Sequence, residues 1–152
     1  METQMYDISS MTDLALAAEK VLEHARATAV AYPESATIIA LSGDLGAGKT
    51  TFVQLLAEVL DVTDTVTSPT FVVMKQYEVE NNIFTQLIHI DAYRIEDKDE
   101  MRPLGLSALL AQPGILVCIE WAERIASLLP TQAIQVALVH THDGTRTLTI
   151  NS

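Results

Sequence analysis

Hydrophobic positions recur along the chain with two different periods, and these periods separate predicted strands from predicted helices. Alternation over Gln4–Ile8 predicts a first strand. An amphipathic helix should follow, because the next apolar residues fall at helical spacing, and Ser10 with Asp13 is predicted to cap its start. The apolar positions of this helix are Leu14, Ala17, Ala18, Val21, Leu22 and Ala25.

The middle of the chain repeats this order of strand and helix. The β-branched run Thr37–Ser42 predicts a strand, and an apolar stripe from Phe52 to Leu60 predicts a helix. Asp64–Phe71 is rich in Thr and Ser and contains a proline, which indicates a loop. Two further strand patterns, at 71–79 and 83–91, are separated by Asn81–Asn82, which predicts a hairpin turn.

The C-terminal part adds short elements and a second hairpin. Residues 93–114 predict a loop with one short helix, and Ile115–Glu120 is a continuous apolar run typical of a strand buried on both faces. Trp121–Leu129 predicts a short helix that ends at Pro130, and strands at 133–140 and 146–150 form the hairpin. We therefore predict an α/β fold in one domain, 1–152: a three-layer sandwich with a mixed, mainly parallel central sheet and β-hairpins.

Length and composition fit a globular domain. The 152 residues are 49% hydrophobic, enough for one core. The formal net charge is −11, and the nine Lys and Arg residues are scattered. Without a basic stripe to neutralise phosphates, we do not expect tight stand-alone binding of DNA or RNA, and we expect a nucleic-acid role to act through a partner. Solubility alone is an alternative explanation of the acidity.

The single cysteine and the N-terminal segment indicate the compartment. Cys118 lies inside the apolar run 115–120, a position that indicates a small core residue in a protein of a reducing environment. The N-terminal residues lack the basic-then-apolar pattern of a signal peptide, and no apolar run reaches the ~20 residues that span a bilayer. We expect a cytoplasmic protein without membrane contact.

The stretch Gly43–Thr50 matches the phosphate-loop pattern G-x-x-x-x-G-K-[ST], with a predicted strand before it and a helix after it. Glycines let successive N–H groups turn toward an anion at the helix N-terminus. Lys49 can reach the β- and γ-phosphates, and the Thr50 hydroxyl suits Mg²⁺. The fold is accordingly P-loop NTPase-like, the alternative being a chance glycine-rich turn. The predicted nucleotide-binding residues are Gly43, Asp44, Leu45, Gly46, Ala47, Gly48, Lys49, Thr50 and Thr51.

Two acidic residues end predicted strands. Asp91 and Glu120 should lie at the carboxyl edge of the sheet, where α/β proteins bind their ligands. With Lys49 they are the candidate catalytic residues; the alternative is that each is a solvated residue at a strand end. His89 shares a face with Asp91, although a histidine in a strand is more often structural. Trp121 fits the core, a lid or a partner contact equally well.

The absence of a guanine-recognition motif indicates which nucleotide is bound. Guanine-specific P-loop proteins carry an [NT]-K-x-D stretch, and this sequence has none, which favours ATP. A small Mg²⁺-dependent ATPase is the first interpretation. The stretch "DAYR", Asp91–Arg94, beside a P-loop leaves a small-molecule kinase as the alternative. A nucleotide-gated binding module with negligible catalysis is a third class.

Four motifs taken together resemble one family. "GDLGAGKTTF", "TSPTF", "HIDAYR" and "IEWAE", in this order and spacing, resemble the TsaE (YjeE) family of bacterial P-loop ATPases over about Leu14–Pro130. The resemblance implies a subunit that binds and hydrolyses ATP while N6-threonylcarbamoyladenosine is made in tRNA. The implied partners are TsaB and TsaD, of which TsaD carries the transfer chemistry, and tRNA is approached indirectly through that complex.

The resemblance also implies roles for single residues. Thr50 and Glu120 would hold Mg²⁺, and Asp91 would assist hydrolysis. Thr12 and Arg146 would contribute to nucleotide binding. Two further groups follow: a switch-like loop beside the γ-phosphate, made of Thr67, Ser68, Pro69, Thr70 and Phe71, and residues that shape the site and its partner surface, which are His89, Tyr93, Arg94 and Trp121.

Overall fold

A mixed β-sheet runs through the molecule. Within residues 2–44, 46–67, 74–80, 83–141 and 143–152, the part of the chain that this computed structural model describes, the sheet has seven strands in the order β1-β7-β6-β2-β5-β4-β3. Their bounds are β1 Thr3–Ile8, β2 Thr37–Gly43, β3 Met74–Glu78, β4 Gln86–Asp91, β5 Ile115–Glu120, β6 Ile134–His140 and β7 Arg146–Asn151.

The strand directions confirm a mixed sheet with a parallel centre. β6, β2, β5 and β4 pair parallel to one another. β7 pairs antiparallel with both β6 and β1, and β3 pairs antiparallel with β4. Parallel strands need crossover connections that cover the sheet. The antiparallel strands add the two predicted hairpins at its sides.

Helical segments lie on both faces of the sheet. Two long α-helices, α1 (Met11–Ala31) and α2 (Lys49–Val59), pack with one hydrophobic cluster that includes Ile39 and Leu41 of β2. The neighbouring positions Ile38 and Ala40 belong to a second cluster on the opposite face. Because side chains alternate along a strand, β2 serves both cores. This arrangement gives the three predicted layers.

The second face is covered by short helical segments. They are a 3-10 helix at Lys98–Leu104, the α-helix α3 at Leu106–Leu110, and a 3-10 helix at Ala122–Leu128. The prediction of one short helix in 93–114 was therefore wrong in number, since two follow each other there. The segment after Trp121 is a 3-10 helix interrupted by non-helical backbone at Ile125. A short apolar pattern does not distinguish 3-10 from α-helix.

The predicted cap of α1 is confirmed with one change. The Ser10 hydroxyl accepts a hydrogen bond from the Asp13 backbone N–H at 3.2 Å. The Asp13 carboxylate reaches the N–H and hydroxyl of Ser9, at 3.0 and 2.8 Å, rather than the N–H of Ser10. The backbone bond from Ser9 is the main cause that lowers the pKa of Asp13. Hydrogen bonds to Ser9 and Ser10 therefore stabilise the first turn of α1.

The hairpin of β3 and β4 is present, with Glu78 opposite Gln86. Its predicted turn, Asn81–Asn82, lies outside the described residues.

Cys118 sits in the middle of β5, and burial raises the pKa of its thiol well above the ordinary value. A helix long and apolar enough to cross a bilayer is absent from the described ranges.

Candidate functional site

The glycine loop leaves β2 at the carboxyl edge of the sheet and enters α2. Gly43, the last residue of β2, has φ +143°, and a Cβ there would lie 2.2 Å from the backbone oxygen of Leu138. Gly48 caps α2 in the left-handed region, with φ +103°. A side chain would oppose both conformations. The loop therefore presents the free N–H groups of the α2 N-terminus, a geometry that suits a phosphate.

Lys49 begins α2 and lies across this loop. Its ammonium donates hydrogen bonds to the backbone oxygens of Gly43 at 2.5 Å and Asp44 at 3.1 Å. The residue is only 5% exposed. Burial lowers the pKa of Lys49, and the nearby carboxylates of Glu120 and other acids oppose that effect. A desolvated cation of this kind interacts strongly with an anion in the same cleft.

Thr50 and Glu120 join the loop to the end of β5. The Thr50 hydroxyl lies 2.9 Å from Oε1 and 3.0 Å from Oε2 of Glu120. Nε2 of His89, on β4, lies 2.5 Å from Oε2 of the same carboxylate. All three side chains are on the α2 side of the sheet. Both oxygens of Glu120 are thus held toward the first turn of α2.

Asp91 is the neighbour of Glu120 on the adjacent strand. The two are paired in the parallel register of β4 and β5, and both are buried. The Tyr93 backbone N–H donates to Oδ1 of Asp91 at 2.9 Å. Two carboxylates therefore meet at the carboxyl edge of the sheet, as the sequence predicted from the strand ends. Such a pair attracts a cation.

Aromatic rings cover one side of the site. The Lys49 ammonium lies 3.9 Å from the centroid of the Trp121 ring, a cation–π contact. The Tyr93 ring is 5.1 Å from the Trp121 ring, and the Arg124 guanidinium lies 5.6 Å from the Tyr93 ring. Trp121 itself has φ +58°, which is rare for a bulky residue. Such outliers occur mainly at functional sites.

These groups border one cleft of about 370 Å³. Arg146 reaches it from β7: a Cβ on Gly48 would lie 2.9 Å from Nη1 of Arg146. The cleft thus brings the glycine loop, the lysine, the acid pair and both aromatic residues to one place. Its lining residues are Gly46, Gly48, Lys49, Thr50, Thr51, Asp91, Tyr93, Glu120, Trp121 and Arg146.

Other predicted site residues do not line this cleft. His89 contacts Glu120, Ala47 is buried, and Gly43 is half-buried at the end of β2. Thr12 is exposed on the first turn of α1, Asp44 is exposed on the loop, and Arg94 is exposed after β4. Leu45 lies outside the described residues. The roles assigned to these residues stay predictions.

The predicted switch-like loop is described only at its first residue. Thr67 is exposed; its hydroxyl accepts a hydrogen bond from the Lys75 ammonium, and its N–H lies 3.4 Å from the Tyr77 hydroxyl. The other residues of the loop, 68–71, lie outside the described ranges. Lys75 was not identified as a site neighbour from the sequence, because its contact with Thr67 depends on β3 lying next to that residue.

Two more neighbours of the site escaped the sequence analysis. Arg124 contacts the aromatic rings, and Nε2 of His140 lies 3.2 Å from the Gly46 backbone oxygen. Arg124 lies three residues after Trp121, and this spacing could have indicated their contact, because a helical turn brings such residues together. The sequence around His140 gives no such indication, because its contact with Gly46 depends on β6 lying beside β2.

The donor set fits Mg²⁺ bound together with a phosphate. Among the described residues, groups of three or more His, Cys, Asp or Glu that could cage a metal are absent. Mg²⁺ is usually held by one or two protein oxygens, with phosphates and water completing its shell. The Thr50 hydroxyl and the Glu120 carboxylate are such oxygens, and they lie in contact at the loop. The residues present therefore fit this ion.

A strand, a glycine loop and a helix form a turn that suits a phosphate. A lysine and two carboxylates lie beside this turn at the edge of a parallel sheet. Together they define a three-layer α/β protein with a P-loop NTPase-like fold. Residues 8–148 match the family model of the threonylcarbamoyl adenosine biosynthesis protein TsaE. The chain belongs to the TsaE family.

Individual relatives agree with this assignment. The chain is 38% identical over 122 residues to the tRNA threonylcarbamoyladenosine biosynthesis protein TsaE of Bacillus subtilis strain 168, covering 80% of this chain and 73% of the relative. The TsaE protein of Treponema pallidum is 34% identical over 117 residues, or 77% of this chain and 83% of that one. The crystal structure of B. subtilis YdiB superposes with a TM-score of 0.69 at 28% identity, covering 98% of this chain and 84% of YdiB. These similarities confirm the family resemblance of the four motifs.

Proposed function

We propose that this chain binds ATP with Mg²⁺ and hydrolyses it, as the ATPase subunit of the cytoplasmic machinery that makes N6-threonylcarbamoyladenosine in tRNA. The observation that carries the proposal is the contact of Thr50 with both oxygens of Glu120. A hydroxyl and a carboxylate, both ligands suited to Mg²⁺, lie in contact at the glycine loop, and this contact supports the proposal.

Binding of ATP rests on the loop and on Lys49. The N–H groups at the start of α2 would hold the phosphate oxygens. Lys49 would exchange its carbonyl partners, Gly43 and Asp44, for oxygens of the β- and γ-phosphates. Arg146, which reaches the cleft beside Gly48, would add a second positive charge.

The Thr50 hydroxyl and the Glu120 carboxylate would hold Mg²⁺. When bound, the ion would supply positive charge that stabilises the phosphate oxygens during hydrolysis. Glu120 also supports the Lys49 ammonium, because its negative charge opposes the loss of the lysine proton. The protein would thus supply both an oxygen pair for the ion and a cation for the phosphates.

Asp91 is the proposed group that orients the attacking water. It is 5% exposed, lies beside Glu120 across the two strands, and is fixed by the N–H of Tyr93. A carboxylate in this setting can accept a proton from water as the oxygen attacks the γ-phosphorus. Trp121 and Tyr93 cover the same region and limit the entry of further water.

The partners proposed are TsaB and TsaD. Relatives of this chain carry tRNA threonylcarbamoyladenosine biosynthesis in their names. A chain with a net charge of −11 and scattered basic residues is poorly suited to grip tRNA itself. It would therefore act on tRNA through partners, with the exposed ring of Tyr93 beside the cleft as part of the contact surface.

The test is ATP turnover of the purified chain, alone and with TsaB and TsaD. We expect slow Mg²⁺-dependent release of inorganic phosphate that rises when both partners are present, and loss of turnover in Lys49→Ala and Glu120→Ala. Lys20→Ala is the matched control, because Lys20 is an exposed lysine on α1 paired with Glu23. If partners neither bound nor changed turnover, the proposal would fail. Phosphate transferred to a metabolite instead of water would favour the kinase alternative.

A further inference from the structure

A buried histidine stands behind the proposed metal ligand. His89 is fully buried on β4, and its Nε2 lies 2.5 Å from Oε2 of Glu120. The opposite ring nitrogen, Nδ1, is also buried and has no hydrogen-bond partner among the described residues. The two nitrogens therefore stand in very different surroundings.

This difference fixes the tautomer. A neutral imidazole carries one N–H, and a buried N–H without an acceptor is costly. Among the described residues a proton on Nδ1 has no acceptor, whereas a proton on Nε2 points at a carboxylate oxygen. His89 therefore donates its Nε2–H to Glu120.

The bond determines where the Glu120 carboxylate points. A glutamate side chain has three rotatable bonds, so the direction of its carboxylate depends on the groups that contact it. Here Oε2 is held by His89 from behind, and both oxygens are contacted by Thr50 from the front. His89 is itself fixed inside the sheet, opposite Cys118 of β5 and Lys75 of β3.

We propose that His89 is a positioning residue: its Nε2–H locks the Glu120 carboxylate toward Thr50 and so presets the oxygen pair for Mg²⁺. The inference rests on the proposed function, because it takes Mg²⁺ with a nucleotide as the occupant of that pair. His89 touches neither the nucleotide nor the ion and acts through Glu120. Such supporting hydrogen bonds typically change metal affinity or activity by roughly 10- to 100-fold.

Two amide variants, each of which mimics one ring nitrogen of His89, separate this role from mere filling of space. The amide nitrogen of Gln can take the place of Nε2, whereas the shorter Asn places its amide near Nδ1, out of reach of Glu120. Mg²⁺ is titrated into the chain with a non-hydrolysable ATP analogue, and binding is followed by the fluorescence of Trp121, the one tryptophan of the chain. We expect His89→Asn to raise the Mg²⁺ midpoint by roughly 10- to 100-fold and His89→Gln to restore most of the affinity.

The control is His24→Asn, because His24 lies on α1 and bonds to Gln4 and Ser152, away from the cleft. It should leave the Mg²⁺ midpoint unchanged. Equal midpoints for wild type and His89→Asn would overturn the inference, as would a wild-type chain that shows no Mg²⁺ response.

A second measurement needs neither turnover nor a variant that folds. Nitrogen-15 NMR of the full chain, which has four histidines, reports which ring nitrogen of His89 carries the proton. The Nε2–H tautomer supports the inference, and the Nδ1–H tautomer overturns it. A wild-type chain that binds Mg²⁺ and nucleotide without hydrolysing ATP would reject the proposed catalysis and leave the role of His89 standing.

Discussion

Thr50 and Glu120 are 70 residues apart in the chain, yet the Thr50 hydroxyl contacts both oxygens of the Glu120 carboxylate. The contact connects the start of α2 with the end of β5. It therefore joins a loop that fits phosphate to a strand end that fits a metal.

Glu120→Gln should reduce ATP turnover by about 100-fold or more, while the chain still folds and binds nucleotide. Gln keeps the shape of Glu and one oxygen acceptor for Thr50 and His89, but it lacks the negative charge that attracts Mg²⁺. Metal stabilisation of the transition state is worth several kcal/mol, and each ~1.4 kcal/mol is tenfold in rate. Steady-state phosphate release together with nucleotide binding by calorimetry checks this. Turnover near the wild-type value would show that Glu120 is not a metal ligand.

The free energy of unfolding should change with pH because the pKa of Lys49 differs between the folded and the unfolded chain. Burial lowers its pKa below the ordinary 10.5 in the folded state. Between the lowered pKa and 10.5 the unfolded chain binds more protons than the folded chain, so the free energy of unfolding rises with pH. The cost of burying the charge is present below the folded pKa and is relieved as pH increases through it.

Urea unfolding of wild type and Lys49→Met from pH 7 to pH 10 measures this effect. The free energy of unfolding of wild type should increase relative to that of Lys49→Met as pH rises. Because the other titrating groups are shared, they largely cancel in the difference. A difference that falls with pH would contradict a lowered pKa.

The Trp121→Gly variant should be more stable than the Trp121→Ala variant. Trp121 has φ +58°, and the left-handed region costs a residue with a Cβ about 1–2 kcal/mol. Trp121→Ala and Trp121→Gly both lose the ring contacts with Lys49 and Tyr93, but only Gly also relieves the backbone. We expect the Gly variant to unfold at a free energy about 1 kcal/mol higher than the Ala variant. Urea unfolding followed by circular dichroism decides the order, and a more stable Ala variant would indicate a different backbone at this position.

Gly43→Ala should destabilise the fold by about 2–5 kcal/mol, because backbone strain and a steric clash add together. A Cβ at Gly43 would lie 2.2 Å from the backbone oxygen of Leu138, which cannot move without disturbing β6. Gly46→Ala is the matched control: its φ is +79°, but nothing lies within 4 Å of the added Cβ. It should cost only about 1 kcal/mol. Thermal unfolding of the two variants side by side measures the difference, and equal losses would argue against the clash.

The sequence predicted the layers and the site best where a pattern is local. The continuous apolar run Ile115–Glu120 was correctly interpreted as a buried central strand, and the strand ends at Asp91 and Glu120 indicated a shared edge. The glycine loop lies between strand and helix as its motif requires. The backbone of the short segment after Trp121 was not predictable, since six or seven residues do not separate 3-10 from α-helical spacing.

Contacts that depend on strand register were beyond the sequence. His89 reaches Glu120 because β4 lies beside β5 with Asp91 opposite Glu120. Sequence spacing shows only that His89 and Asp91 share a face. In the same way, the approach of Lys49 to Trp121 requires the end of β5 to lie next to α2, and no local pattern encodes that distance.

The position of Cys118 has a practical consequence for experiments. Its thiol is fully buried in β5 with a raised pKa, so at neutral pH it is neither ionised nor accessible to reagents. A cysteine introduced on the surface should therefore be the single site that reacts with a maleimide dye, without removal of the native residue. Spectroscopic labels can then be placed at chosen positions around the cleft, and distances between the chain and its partners can be followed during the nucleotide cycle.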